Sequence, residues 1–113
     1  MPKKYLVGVD MTEVARFRGL KNKAQSRSLN KLFTKNEIGY CFGYKRPEEH
    51  LAGTFAAKEA ASKVLGTDKF PFVSLEIRRA ENGKPEVWKG NKKLPADVSI
   101  THAGEFALAV AIA

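Results

Sequence analysis

Leu51 to Gly66, LAGTFAAKEAASKVLG, contains five alanines and closes on a glycine. So few helix breakers predict a helix that ends at a C′ glycine. Upstream, Pro47, Glu48 and Glu49 suit a first helical turn, where proline loses little and acids meet the positive end of the helix dipole. Glu59 lies one turn after Phe55 and one turn before Lys63, among Ala56, Ala57, Ala60 and Ala61. A carboxylate on so small and apolar a face needs a partner. That partner is Lys63, a metal ion, or both; as an exposed pair alone, Glu59 and Lys63 would add only about 0.3 kcal/mol. Gly53 costs about 1 kcal/mol relative to alanine, which points to close packing or to a ligand against the backbone.

Working outward toward the N-terminus, Thr34 to Glu37, TKNE, forms a capping box. It opens a short helix carrying Ile38, Tyr40, Cys41, Phe42 and Tyr44. Ser28 to Phe33 reads as a helical turn. Between Arg16 and Lys31 six cations occur without one acid; such a run is usually only a solvated face, but without interspersed acids it also suits docking of an acidic partner. Val14, Phe17 and Leu20 are expected to form the buried stripe of a first helix. Tyr5 to Asp10, YLVGVD, reads as a buried strand. Asp10 then has two readings: a helix cap with Glu13 as its capping-box partner, or a metal-ligating carboxylate at a strand end.

Downstream, Val73 to Arg78 alternates apolar and polar residues as a half-buried strand does. Asn82-Gly83 signals a hairpin whose turn residues both tolerate positive φ, with a return strand near Val87 and Trp88. Val98 to Thr101 and Phe106 to Ile112 are two further strands around a turn at His102 to Gly104. The order of strand, helices with one long central helix, then antiparallel strands predicts an α+β fold in a single domain over residues 1–113.

The chain has 113 residues, 43% hydrophobic and 28% charged, enough for one modest core. A net charge of +8 and a pI near 9.8 favour anionic partners: nucleic acid, acidic protein surfaces or phosphorylated small molecules. One cysteine, Cys41, excludes an intrachain disulfide and a multi-cysteine zinc site. With no apolar run near the roughly 20 residues that span a bilayer, a soluble cytoplasmic protein is expected. Asp10 and Glu59 are far apart in sequence but suit a shared Mg²⁺, which needs only one or two carboxylates and completes its shell with water and phosphate oxygens. Lys58, Lys63 and Lys84 add positive charge.

VGVDMTEVARF, FTKNEIGYC, LAGTFAAKEAASKVLG, the GKP of Gly83 to Pro85 and VSITHAGEFALAVAIA, in that order, resemble holo-[acyl-carrier-protein] synthase, the small bacterial type of 4′-phosphopantetheinyl transferase. The resemblance implies transfer of 4′-phosphopantetheine from coenzyme A to a serine of apo acyl carrier protein, releasing adenosine 3′,5′-bisphosphate. It implies Mg²⁺ ligation by Asp10 and Glu59. Lys63 would protonate or screen the leaving oxygen, and Glu59, directly or through a bound water, would be the base. Lys58 and His102 would sit near the phosphates of coenzyme A, and Gly83, Lys84 and Pro85 near its nucleotide. Arg16 and the basic residues after it match a helix that docks the acidic carrier protein. A homotrimer with sites between chains is also implied, in the context of fatty acid biosynthesis. Two positions depart from the family pattern: Thr54 stands where many members carry arginine, so one phosphate contact is missing or comes from Lys45 or Arg46, and Thr101 replaces the commoner serine. The competing class is a small basic nucleic-acid-binding module. It lacks support in the sequence, since there is no glycine-flanked stacking motif and no zinc or helix-turn-helix signature.

Overall fold

In the computed structural model, residues 4–20, 27–66 and 72–113 are described. Strand β1 (Val7–Glu13) runs into a 3₁₀ turn (Val14–Phe17), followed by helices α1 (Arg27–Leu32), α2 (Lys35–Phe42) and α3 (Pro47–Leu65). Strands β2 (Leu75–Arg79), β3 (Pro85–Lys89), β4 (Lys92–Ala103) and β5 (Phe106–Ile112) complete the chain. The five strands form one sheet in the order β1-β5-β4-β3-β2, every pairing antiparallel. The fold is α+β, as expected.

The long helix lies on one face of this sheet because both surfaces are built from small residues. Ala56, Ala57, Ala60, Ala61 and Val64 of α3 meet Val98, Ala109 and Ala111 of β4 and β5 in the larger core cluster. On β1, Gly8 and Thr12 are buried and Asp10 is part-buried, whereas Val7, Val9 and Met11 point away. A side chain on Gly8 would run into the carbonyl oxygen of Ala60, so glycine there sets how closely α3 approaches β1. Gly53 acts the same way earlier on α3, against β4: a Cβ would lie 3.1 Å from His102 Nε2 and from Ile100. Close packing, one of the two readings left open, accounts for this glycine.

Several local expectations are corrected. Asp10 caps no helix: it sits mid-strand, paired in register with Ala109, and the strand continues to Glu13. The helix expected beyond it is only a 3₁₀ turn, although Val14 and Phe17 are buried as foreseen. The strand expected at Val73 begins at Leu75, and its alternation fails because Leu75, Glu76 and Ile77 are all buried. The Asn82-Gly83 hairpin exists, but only Gly83 has positive φ. Arg79 pairs with Pro85, so residues 80–84 form a longer turn, closed by the Gly83 N–H donating to Ala80 O at 2.8 Å.

The helices are tied to the sheet by a buried ion pair. Lys58 and Glu37 meet at 2.7 Å with neither side chain exposed. The Lys58 ammonium also donates to Leu32 O at 2.7 Å and to Val73 O at 3.4 Å. Glu37 accepts from the backbone N–H of Thr34 at 2.8 Å, completing the predicted capping box, and from that of Ile77 at 2.8 Å. Burial pushes the Glu37 carboxyl up and the Lys58 ammonium down from their ordinary values, and the opposite charge of each partner works against that shift. Removing one member strands the other charge in the core. Lys58→Met is therefore expected to lower the unfolding free energy by about 3–5 kcal/mol in urea denaturation. A loss under about 1 kcal/mol, within the range of an ordinary exposed pair, would show that the pair does not hold the junction.

Candidate active site

Asp10 faces α3 because β1 alternates, and the strand places Thr12 on the same side two residues on. The Thr12 hydroxyl donates to Asp10 Oδ2 at 2.8 Å. Lys63, in the last turn of α3, reaches across to β1: its Nζ donates to Val9 O at 2.6 Å and lies 3.8 Å from Asp10 Oδ1. The partner of Lys63 is thus Asp10 and the β1 backbone; no described ion pair joins it to Glu59. Glu59, one turn earlier on α3, is half-buried and lines an open cleft of 680 Å³ together with Asp10, Thr12, Glu13, Phe55 and Arg16. Arg16 lies over the Phe55 ring, its guanidinium carbon 4.3 Å from the centroid. The 3₁₀ turn that carries it is held from behind, since Val14 N–H donates to Glu105 O at 2.8 Å and Arg18 pairs with the Glu105 carboxylate.

Of the three carboxylates lining this open cleft, Asp10, Glu13 and Glu59, Asp10 and Glu59, with a threonine hydroxyl and two cations beside them, could hold a hard cation that shares its shell with water and phosphate. No cluster of three or more His, Cys, Asp or Glu side chains occurs among the described residues, so the donor set suits Mg²⁺ rather than a closed zinc site. Cys41 offers no thiol chemistry: burial pushes it up to about 11, with the sulfur 3.6 Å from Thr54 Oγ1.

Lys58 is not in this cleft. The expectation that it meets coenzyme A phosphates is corrected by its burial against Glu37: it sits next to Glu59 in sequence but on the inward side of the helix. His102, Gly83, Lys84 and Pro85 do come together, in a second cleft of 430 Å³ that also includes Tyr40, His50 and Arg79. There His102 Nε2 is 2.9 Å from Glu49 O. Lys84 Nζ lies 3.8 Å from the Asp97 carboxylate. Thr54 is buried and reaches neither cleft. Arg46, one proposed substitute for the missing arginine, is engaged by Glu49 at 3.0 Å and Glu48 at 3.5 Å. Of the basic run, Lys21 and Lys23 fall outside the described residues.

Sequence reasoning missed His50, Arg79 and Tyr40. They come from three different elements, α2, α3 and β2, so only the fold brings them to His102. Burial holds His50 below its ordinary value, with His102 and Arg79 adding to the effect and Glu49 opposing it.

Three comparisons bear on this arrangement. The sequence model of the 4′-phosphopantetheinyl transferase superfamily matches residues 6–111. A holo-[acyl-carrier-protein] synthase of Thermodesulfovibrio yellowstonii is 36% identical over 107 residues, covering 94% of this chain and 95% of that protein. One from Bacillus subtilis is 40% identical over 111 residues, covering 93% and 91%. The crystal structure of a Bacillus anthracis holo-(acyl-carrier-protein) synthase in complex with CoA (3′,5′-ADP) matches with a TM-score of 0.75 and 33% identity, covering 94% of this chain and 92% of that one.

Proposed function

We infer the function of this chain from its family: it belongs to the 4′-phosphopantetheinyl transferase superfamily, among the holo-[acyl-carrier-protein] synthases. It is a transferase that moves 4′-phosphopantetheine from coenzyme A to a serine of apo acyl carrier protein. The observation that supports this chemistry locally is one cleft lined by Asp10, Glu59 and Arg16, with Lys63 against Asp10.

In the reaction the serine Oγ attacks the phosphorus that carries pantetheine. The new O–P bond replaces the pyrophosphate P–O bond, and adenosine 3′,5′-bisphosphate leaves with the bridging oxygen. Glu59 takes the serine proton. Lys63 screens or protonates the leaving oxygen, and because its ammonium is already fixed by Val9 O, it needs little reorganisation as negative charge develops. Asp10 and Glu59 would hold Mg²⁺, which would neutralise phosphate charge as a Lewis acid. His102, Lys84 and the Gly83 to Pro85 turn form the nucleotide side of the site. Lys58 takes no part in contacting substrate.

The partner assignments follow from charge and exposure. No acid occurs between Glu13 and Glu37, and Arg16, Arg27 and Lys31 are exposed, which gives an acidic carrier protein a face to approach. Val7, Val9 and Met11 of β1 lie opposite Ile112, Val110 and Leu108 of β5. Val7 is 63% and Met11 60% exposed, an apolar sheet face that a second copy would cover. A homotrimer, with each site completed by a neighbouring chain, accounts for that face and for the division of the site into two clefts. We place the protein in the cytoplasm with its co-substrate.

Mass spectrometry of apo acyl carrier protein incubated with this protein, coenzyme A and Mg²⁺ is expected to show a gain of one phosphopantetheine, abolished by chelator. Glu59→Gln should remove most of the turnover, by roughly a hundredfold or more for a general base; full activity would refute its role. Arg16→Glu should raise the KM for carrier protein more than that for coenzyme A, and an equal effect on both would count against the docking face. Sedimentation equilibrium should return three times the chain mass; a monomer at micromolar concentration would remove the trimer.

A further inference from the structure

Thr12 is buried, 5% exposed, on the face of β1 that meets α3, where the register sets it opposite Ala107 of β5. A valine there would keep the branching at Cβ that suits a strand and would leave no polar group to bury. The threonine hydroxyl needs a partner, and its partner is Asp10 Oδ2, to which it donates at 2.8 Å. A hydroxyl carries a single proton, so this donation commits it.

The other oxygen of the same carboxylate is treated differently. Asp10 Oδ1 lies 3.8 Å from Lys63 Nζ, within ion-pair range but beyond the roughly 3.2 Å reach of a hydrogen bond. The ammonium instead donates to Val9 O at 2.6 Å. Opposite charges this close gain by closing the gap, and an aspartate carboxylate turns readily about its last torsion, which is broad and two-fold. Packing does not hold the ammonium back, because the Lys63 side chain is 51% exposed. What stands against collapse is a hydrogen bond at either end: Val9 O holds the ammonium, and the Thr12 hydroxyl holds the carboxylate.

The consequence rests on the transferase reading, with Asp10 as a ligand of Mg²⁺. A carboxylate closed onto Lys63 has one oxygen less to offer a cation, and an ammonium closed onto Asp10 has less to offer a phosphate. We propose that Thr12 is a positioning residue: its hydroxyl pins the Asp10 carboxylate away from Lys63, which keeps Oδ1 open to the divalent ion and the ammonium open to the leaving oxygen. Thr12 acts through Asp10 and touches neither the ion nor the substrate. Groups that orient a metal's ligand in this way change its affinity by about ten- to a hundredfold when they are removed.

The test follows binding of Mn²⁺, a spectroscopic stand-in for Mg²⁺, to the whole protein with coenzyme A present and carrier protein absent. Electron paramagnetic resonance counts the free ion, and coenzyme A alone supplies the blank. Thr12→Val should weaken Mn²⁺ binding about tenfold, as should Thr12→Ala, the second variant without a hydroxyl. Thr12→Ser restores the hydroxyl and should recover most of the affinity. In transfer assays Thr12→Val should need about tenfold more Mg²⁺ for half its maximal rate, with the KM for carrier protein unchanged. A general loss of structure would not produce that split, and circular dichroism identifies any variant that has unfolded. In a Lys63→Met background, followed by binding alone, the effect of Thr12→Val should shrink, because the competing ammonium is gone. Wild-type Mn²⁺ affinity in folded Thr12→Val and Thr12→Ala overturns the assignment, as does an undiminished effect in the Lys63→Met background. A wild type that transfers without binding the ion overturns this assignment alone. A wild type that neither binds Mn²⁺ nor transfers overturns the transferase reading, and this assignment with it.

Discussion

The structure depends on a lysine and a glutamate that have left water together. Lys58 and Glu37 form one 2.7 Å contact with no exposed surface, and around it the end of α1, the start of α2, the middle of α3, residue 73 and β2 all meet. An apolar pair of similar volume could bury as much area, and exchanges of that kind are often neutral or stabilising. Here it would leave the Ile77 and Thr34 N–H groups without their acceptor, at about 1–3 kcal/mol for each buried donor. The pair fixes geometry as well as burying surface. With Lys58 locked inward, the helical advance of about 100° per residue turns Glu59 toward the cleft, so a core interaction sets the direction of a side chain in the cleft.

The second constraint is steric. Lys63 reaches the β1 backbone only because α3 lies close to the sheet, and it lies close because Gly8, Ala107, Ala109 and Ala111 present almost no side-chain volume to Ala56, Ala57, Ala60 and Ala61. Core-packing energies of alanines are small singly, since burial stabilises by about 25 cal/mol per Å² of apolar surface. What the small residues supply is distance, bringing a strand carboxylate and a helix ammonium to 3.8 Å. The opposite sheet face bears the large apolar groups Val7, Val9 and Met11, which this chain leaves exposed.

Local grammar was legible wherever the determinants lie within a few residues. The proline-led start and glycine-closed end of α3 could be read directly, as could the capping box at Thr34 and the antiparallel strands after residue 72. Apart from the turn at residues 80–84, the misreadings turn on partners distant in sequence. Asp10 and Glu13 have the spacing of a capping box, but pairing with β5, about a hundred residues away, makes that segment a strand. Glu37 was legible as the closing residue of a cap, yet its second role depends on Lys58, 21 residues on. Lys58 and Glu59, adjacent in one motif, are both expected at the substrate, and helical rotation with a buried acid separates them. The strand at β2 lost its alternation because Glu76, a polar residue at an outward position, is covered by Thr34 and Arg78.

Charge is also sorted by the fold in a way that a total of +8 conceals. Arg18, Arg46, Lys58, Lys63, Arg78, Lys84 and Lys93 each have an acid within ion-pair distance, so most of the acids are engaged where these cations lie. Between Glu13 and Glu37 no acid occurs, and the described cations Arg16, Arg27 and Lys31 of that stretch are exposed. The two clefts then treat charge differently. The first sets Lys63 and Arg16 beside carboxylates. The second has no carboxylate lining it, so the fold separates a cleft of mixed charge from one whose charged side chains are all basic.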